Sequence, residues 1–171
     1  MKLKNNTIIL GFTVLLALGG VALMRFGNSE IQEVSGASHT GSSSLSFAER
    51  SVSYDFGSVS MANGNVRHDF ELTNYIGGEV VVKKVMTSCM CTTADLLLPN
   101  GEKLGPFGMP GHGFIPTLDV TIQEGEKLLV PVTFDPAAHG PSGVGLVERQ
   151  VFVDLEGGER ITLSFKATVT P

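Results

Sequence analysis

Apolar and polar side chains alternate along most of the chain beyond residue 45. Residues 161–169 alternate strictly, and a period of two predicts a β-strand with one buried and one wet face. By alternation or by runs of β-branched residues, further strands are predicted at 52–56, 66–74, 79–87, 127–134 and 148–155. Pro131 takes an outward position in one of them, and its missing N–H predicts an edge strand or a bulge there.

Turn signals separate these segments, and no helical pattern competes with them. Asn63-Gly64 and Gly77-Gly78 have the backbone freedom that hairpin turns need. An amphipathic helix of about ten or more residues is not indicated after residue 45. The sequence therefore predicts an all-β domain over residues 45–171, an immunoglobulin-like sandwich of two antiparallel sheets with about seven strands.

The N-terminal end has a different pattern. Residues 7–24 form an uncharged apolar run, which as a helix would rise about 27 Å and just span a hydrocarbon core of about 30 Å. Lys2 and Lys4 precede this run and only Arg25 follows it closely, so the positive-inside rule leaves the N-terminus in the cytoplasm. We predict a single-pass transmembrane helix in the cell (inner) membrane within residues 1–26, with a cleaved signal peptide as the alternative.

A linker is predicted between this segment and the domain. Residues 27–44 are rich in Gly and Ser and poor in large apolar groups, the composition of a flexible coil. Its expected end-to-end distance of about 20–25 Å would keep the domain close to the membrane. Because an anchor and a cleaved signal peptide both export the downstream chain, the domain is predicted to be extracytoplasmic, in the periplasm or at the cell surface.

The composition narrows the functional classes. The chain has 171 residues, 42% of them hydrophobic, and a net charge of -5, so one folded domain with appendages is expected rather than wholesale disorder. The acidic balance and the lack of a long basic run argue against nucleic-acid binding. A phosphate loop or a glycine-rich dinucleotide fingerprint does not occur, so nucleotide binding has no support.

Cys89 and Cys91 have the most distinctive chemistry. In an extended strand their α-carbons would lie about 6.6–6.8 Å apart on one face, at the upper limit for a disulfide, so a bridge would be strained. The two thiols also suit one soft ion such as Cu(I), with Met90 and His112 as further candidate ligands. Structural zinc is less favoured, because two Cys and one His leave its tetrahedron incomplete. Packing or a structural bridge, soft-metal binding and thiol–disulfide exchange all stay open for this pair.

Other residues give weaker signals. His68 lies in phase with Val66 and Phe70 and is expected to be a satisfied, partly buried histidine, whereas His139 is expected to be a surface loop residue. The Gly/Pro-rich segment 99–117 is interpreted as a packed loop, a lid over the cysteines or an exposed partner-binding surface.

Four short motifs succeed one another in the domain: Phe56-Gly57-Ser58-Val59, residues 66–74, residues 87–93 and Phe134-Asp135-Pro136. Their order and spacing resemble the bacterial family catalogued as domain of unknown function 1573. The resemblance implies an exported, often membrane-anchored protein with an immunoglobulin-like sandwich similar to the domains of sperm and ciliary proteins, and it implies no reaction. Met90 stands where the family most often has Gly, and residues 99–117 form an unusually long excursion.

Two functional hypotheses fit these observations. The first is a non-catalytic binding or assembly module that contacts a protein or glycan partner through its loops or an edge strand. The second is a periplasmic soft-metal (copper) or thiol-redox protein that uses Cys89 and Cys91. Thiol exchange is the one enzymatic activity considered, and the sequence assigns no catalytic residue.

Overall fold

Residues 43–171 are described by a computed structural model, and they form ten β-strands and three short 3-10 turns. The strands are β1 Ser43–Ser46, β2 Ser51–Ser60, β3 Val66–Thr73, β4 Val80–Thr87, β5 Thr92–Leu97, β6 Lys103–Phe107, β7 Val120–Ile122, β8 Lys127–Phe134, β9 Gly145–Leu155 and β10 Arg160–Thr170. Each segment in which the sequence predicts a strand is a strand, so the all-β prediction is confirmed for this part of the chain.

The strands form two five-stranded sheets, in the orders β1-β3-β8-β5-β6 and β2-β10-β9-β4-β7. β1 runs parallel to β3 and β2 runs parallel to β10, whereas the other pairs are antiparallel. The prediction of wholly antiparallel sheets is therefore wrong. The reason is that residues 43–60 supply one edge strand to each sheet, and both strands run alongside a neighbour of the same direction.

Side chains from both sheets meet in one hydrophobic core. Phe165 of β10 packs on Phe134 of β8 with ring centroids 5.2 Å apart. His68 of β3 stacks on Tyr54 of β2, with centroids 3.6 Å apart and planes 10° apart, and only 8% of His68 is exposed. The prediction of a partly buried histidine in phase with the core is confirmed.

Of the two sequence interpretations of Pro131, an edge strand or a bulge, the edge strand is wrong. Its strand, β8, lies between β3 and β5. The β5–β8 ladder pairs Ala94 with Val132 and Leu97 with Leu129 but forms no pair at Pro131. The register of β5 against β6 shifts between Ala94 and Leu96. The missing N–H is thus accommodated by a local gap and a bulge in a central strand.

The Gly/Pro-rich segment 99–117 is partly ordered into β6, which forms a hairpin with β5. Phe107 is buried at its end, whereas Phe114 is 89% exposed. The carbonyl of Gly108 accepts a hydrogen bond of 3.0 Å from the N–H of Thr87. The first part of the segment is therefore packed beside the end of β4, and its later part reaches solvent.

The predicted anchor (1–26) lies outside the described residues, as does most of the predicted linker (27–44). β1 begins at Ser43, inside the last residues assigned to that linker. From residue 43 to residue 171, helices that are long and apolar enough to cross a membrane do not occur.

Candidate functional site

The two cysteines lie in a turn between β4 and β5, not in a strand. Residues 88–91, here called the cysteine turn, are closed by a 3.1 Å hydrogen bond from the N–H of Thr92 to the carbonyl of Cys89. The turn brings the α-carbons of Cys89 and Cys91 to 5.3 Å, and a disulfide joins the two residues. That separation lies inside the usual range for a bridge, so the expectation of an extended, poorly matched pair is corrected.

Hydrogen bonds to both sheets hold the cysteine turn. The buried hydroxyl of Thr87 lies 3.0 Å from the carbonyl of Cys89 and 3.1 Å from that of Thr92. Ser88 donates its N–H to the carbonyl of Gln150 in β9, and its hydroxyl accepts the N–H of Gln150, both at 2.9 Å. The carbonyl of Cys91 accepts the N–H of Asp135 at 2.9 Å. The sulfurs are therefore attached to a fixed backbone.

The loop after β8 brings a histidine to the first sulfur. His139 is exposed, and its Nε2 lies 3.2 Å from the Sγ of Cys89. The hydroxyl of Ser142 donates to the carbonyl of His139 at 2.7 Å, which fixes the local backbone. Gly143 passes so near that a β-carbon there would lie 3.2 Å from the Cβ of His139. A larger residue at position 143 would therefore press on the side chain of His139 at its Cβ.

The second sulfur has a cationic partner. Arg149 of β9 donates from Nε to the Sγ of Cys91 at 3.2 Å, and from a terminal nitrogen to the carbonyl of Glu148 at 2.8 Å. Arg149 has the same phase along β9 as the buried Val151 and Val153, and it lies near the middle of the strand. An inward-phase arginine needs a polar partner, and the buried sulfur of Cys91 lies within its reach.

These groups surround an open cleft of about 530 Å³. Its lining residues are Ser88, Cys89, His139, Glu148, Arg149 and Gln150. Cys91 lies behind the cleft and is 3% exposed, whereas Cys89 is half-buried. The arrangement presents one sulfur, one imidazole and charges of both signs to solvent, with the other sulfur behind them.

The sulfurs and the imidazole also form a potential ligand set. The Sγ atoms of Cys89 and Cys91 and a ring nitrogen of His139 all lie within 4.8 Å of one another. Met90, at the tip of the cysteine turn, is 52% exposed. His112 lies in the loop between β6 and β7 and is not part of this group.

The sequence did not predict that His139 and Arg149 lie beside the cysteines. His139 is an exposed loop residue, as predicted, but its contact with Cys89 joins positions 50 residues apart. Arg149 is 58 residues from Cys91. The sequence signal for Arg149 is its inward-facing position in β9, because a charged side chain at such a position is rare without a partner.

Comparison with known proteins supports a family resemblance but does not identify an activity. Residues 45–102 match the family model described as "Protein of unknown function (DUF1573)", which confirms the resemblance over that segment, including the cysteine turn. No curated protein matches the chain.

Two solved structures are distantly similar to this chain. A family 123 glycoside hydrolase from Clostridium perfringens is 9% identical, with a TM-score of 0.36, over 66% of this chain and 22% of that one. The CupB6 tip adhesin from Pseudomonas aeruginosa is 10% identical, with a TM-score of 0.36, over 71% of this chain and 40% of that one. The aligned part of this chain thus spans less than half the length of either protein.

Proposed function

We propose that the domain is a thiol–disulfide exchange module, in which Cys89 and Cys91 cycle between a disulfide and two thiols. One observation carries the proposal: the two sulfurs lie 3.2 Å from the imidazole of His139 and 3.2 Å from the guanidinium of Arg149, respectively. The guanidinium, a cation, favours the thiolate, which is the reactive form of cysteine, and an adjacent imidazole can accept a thiol proton. The contacts of the sulfurs thus favour the second of the two functional hypotheses over an inert binding module.

The proposed location agrees with this chemistry. We place the N-terminus in the cytoplasm and the domain in the periplasm or at the cell surface, tethered by the apolar run 7–24. Disulfides form and persist in oxidising compartments outside the cytosol. Protease added to spheroplasts should digest the domain, and a protected domain would overturn the location.

The proposed architecture is an immunoglobulin-like sandwich. Constant-type immunoglobulin sheets contain strands A, B, E and D in one layer and C, F and G in the other. Taking β1, β3, β8 and β5 as the first set and β4, β9 and β10 as the second reproduces those orders. β2, β6 and β7 then lie outside these sets, as strands at the edges of the two sheets.

The proposed partner is a protein that carries a thiol or a disulfide. Exchange requires a sulfur on the partner, and glycans have none. The cleft is open and polar, so it can admit a cysteine on an exposed segment of another chain. The anchor would restrict such partners to those near the membrane surface.

A redox titration of the full chain tests exchange. The detergent-solubilised protein is equilibrated in glutathione buffers of graded ratio, and free thiols are counted by alkylation and mass measurement. We expect the pair to pass reversibly between the two states while circular dichroism stays constant. The double variant Cys89→Ser/Cys91→Ser is the control and should bind no alkylating agent. A pair that reacts only after unfolding would contradict the proposal.

The ligand set supports a second candidate, soft-metal binding by the reduced pair. Two thiolates and one imidazole suit a three-coordinate Cu(I) better than a zinc tetrahedron. Anaerobic titration with Cu(I) against a competing chelator tests it. The variant His139→Ala should weaken binding, whereas His112→Ala, the matched control, should not. If His112→Ala weakens binding instead, His112 is the histidine ligand, as the sequence predicted. If the Cys89→Ser/Cys91→Ser variant binds Cu(I) as tightly as the unmodified protein, the metal hypothesis is wrong.

A further inference from the structure

We infer that exchange at this site is directional: a partner thiolate attacks the Sγ of Cys89, and Cys91 leaves as a thiolate held by Arg149. The inference rests on the proposed exchange function and specifies which sulfur forms the mixed disulfide. It also gives separate roles to His139 and Arg149.

Access favours Cys89 as the attacked sulfur. Exchange proceeds by attack of a thiolate on one sulfur of the disulfide, and access decides which sulfur is attacked. Cys89 lines the open cleft, whereas Cys91 does not line it and is 3% exposed. An incoming sulfur can therefore reach the first atom from solvent, but the second only by displacing the turn.

Charge favours Cys91 as the leaving sulfur. Its Sγ accepts the Nε–H of Arg149 at 3.2 Å and lies 3.7 Å from the hydroxyl of Thr92, which is 0% exposed. Both groups can donate to a thiolate, and the guanidinium carries a full charge. A leaving thiol that is stabilised as its thiolate departs faster. At the other sulfur, Cys89, the neighbouring side chain is the imidazole of His139.

Atoms and electrons balance in each step of the exchange. The imidazole of His139 takes the proton of the incoming thiol, and the resulting thiolate forms a bond with the Sγ of Cys89. The bond between the two cysteine sulfurs breaks, and its electron pair remains on Cys91 as a thiolate beside Arg149. A second partner thiol then attacks the partner's sulfur of the mixed disulfide, and the bond to Cys89 breaks with its electron pair on the Cys89 sulfur, which takes up the second thiol's proton. The proton held by His139 passes through solvent to the Cys91 thiolate, so both cysteines end as thiols. The sum is two partner thiols converted to one disulfide, and one protein disulfide converted to two thiols.

Mapping of the mixed disulfide tests the direction. The oxidised full chain, solubilised in detergent, is mixed with reduced glutathione, quenched with acid and alkylated with N-ethylmaleimide. Tandem mass spectrometry of the peptide that contains the cysteine turn then locates each adduct. We expect glutathione on Cys89 and N-ethylmaleimide on Cys91, with the reverse arrangement at least about tenfold rarer.

The possible outcomes separate the two proposals. Glutathione found mainly on Cys91 would overturn the direction and leave exchange intact. A folded protein that forms no adduct on either cysteine would overturn the exchange function itself.

Substitution of the arginine tests the leaving-group role. Arg149→Gln should slow mixed-disulfide formation about three- to tenfold, because the departing thiolate loses its cation. Arg149→Lys, which keeps the charge, should recover part of the rate, and Arg160→Gln on β10, the matched control, should not change it. Equal rates for Arg149→Gln and the unmodified protein, with unchanged circular dichroism, would overturn the role.

The pH profile separates the arginine from the histidine. His139→Ala should alter how the rate depends on pH, because it removes the group that takes the proton. Arg149→Gln should lower the rate at each pH without changing the profile's shape. An unchanged profile for His139→Ala would remove the imidazole from the step.

Discussion

The two ends of β4 use their polar groups in different ways. Before β4, the side chain of Asn74 is 0% exposed. Its Nδ2 donates to the carbonyls of Gly78 and Ile122 at 2.7 and 2.9 Å, and its Oδ1 accepts the N–H of Ile76 at 3.2 Å. After β4, the cysteine turn presents a sulfur and an imidazole to an open cleft.

The difference shows where this fold keeps its stability and where it leaves groups available. Buried polar groups that all have partners make a turn rigid and are expensive to disturb. A cleft with exposed polar groups contributes less to stability, and those groups can react with molecules from solvent. Substitutions at each end in turn should therefore separate effects on the free energy of unfolding from effects on thiol exchange.

The largest effect is expected at the closed end. Asn74→Ala removes two donated hydrogen bonds and one accepted bond and leaves buried backbone groups without that side chain. We expect the free energy of unfolding to fall by about 2–3 kcal/mol, measured by urea denaturation of the full chain. Asn63→Ala, at an exposed position in the turn after β2, should change it by about 0.5 kcal/mol or less. Similar losses for the two variants would show that the Asn74 network is not structural.

The strands of both ends could be predicted from sequence, because one physical rule determines them. Residues on alternate positions of a strand face the core, so the pattern around Phe70 and Phe165 identifies β3 and β10. The rule says nothing about the neighbours of a strand. Pro131 is the example: its missing N–H suggested an edge strand or a bulge, and the sheet accommodates it in a central strand by a gap in the ladder to β5.

The open end could be predicted only in part. The Cys-x-Cys spacing marks the pair, but the turn that brings Cys89 and Cys91 to 5.3 Å depends on bonds from Thr87 and Asp135. His139 reaches the site by the packing of a loop, which has no sequence period. Contacts of this kind depend on the folded topology rather than on local pattern.

A smaller effect is expected when the disulfide is removed. Cys89 and Cys91 are two positions apart, so their bond closes a very short loop and restricts the unfolded chain little. The chain-entropy argument gives about 1.5 kcal/mol for such a loop, against about 2–5 kcal/mol for typical native bridges. The double variant Cys89→Ser/Cys91→Ser should lose no more than that in urea denaturation. A loss of about 3 kcal/mol or more would make the bridge a structural element and weaken the contrast between the ends.

The interior histidine should respond to acid. Burial lowers the pKa of His68, and the charge of Asp69 opposes this shift only in part. The unfolded chain therefore binds the proton more tightly than the folded one, so stability should fall as the pH drops below about 6.5 and level off below the folded pKa. In His68→Phe, which keeps a ring against Tyr54, this part of the loss should be absent. Urea denaturation at neutral and acidic pH compares the two, and parallel pH curves would contradict the expectation.

The exposed histidine should have the smallest effect on stability. The His139 side chain is exposed and touches Cys89 at the cleft surface, so His139→Ala removes little buried contact. We expect the free energy of unfolding to change by about 0.5 kcal/mol or less, with His112→Ala as a matched exposed control. The same variant should nevertheless alter thiol exchange, because the imidazole is the proton acceptor nearest the attacked sulfur. A loss of about 1 kcal/mol or more in His139→Ala alone would mean that the imidazole holds the loop in place, and its contact with the sulfur would then be structural rather than chemical.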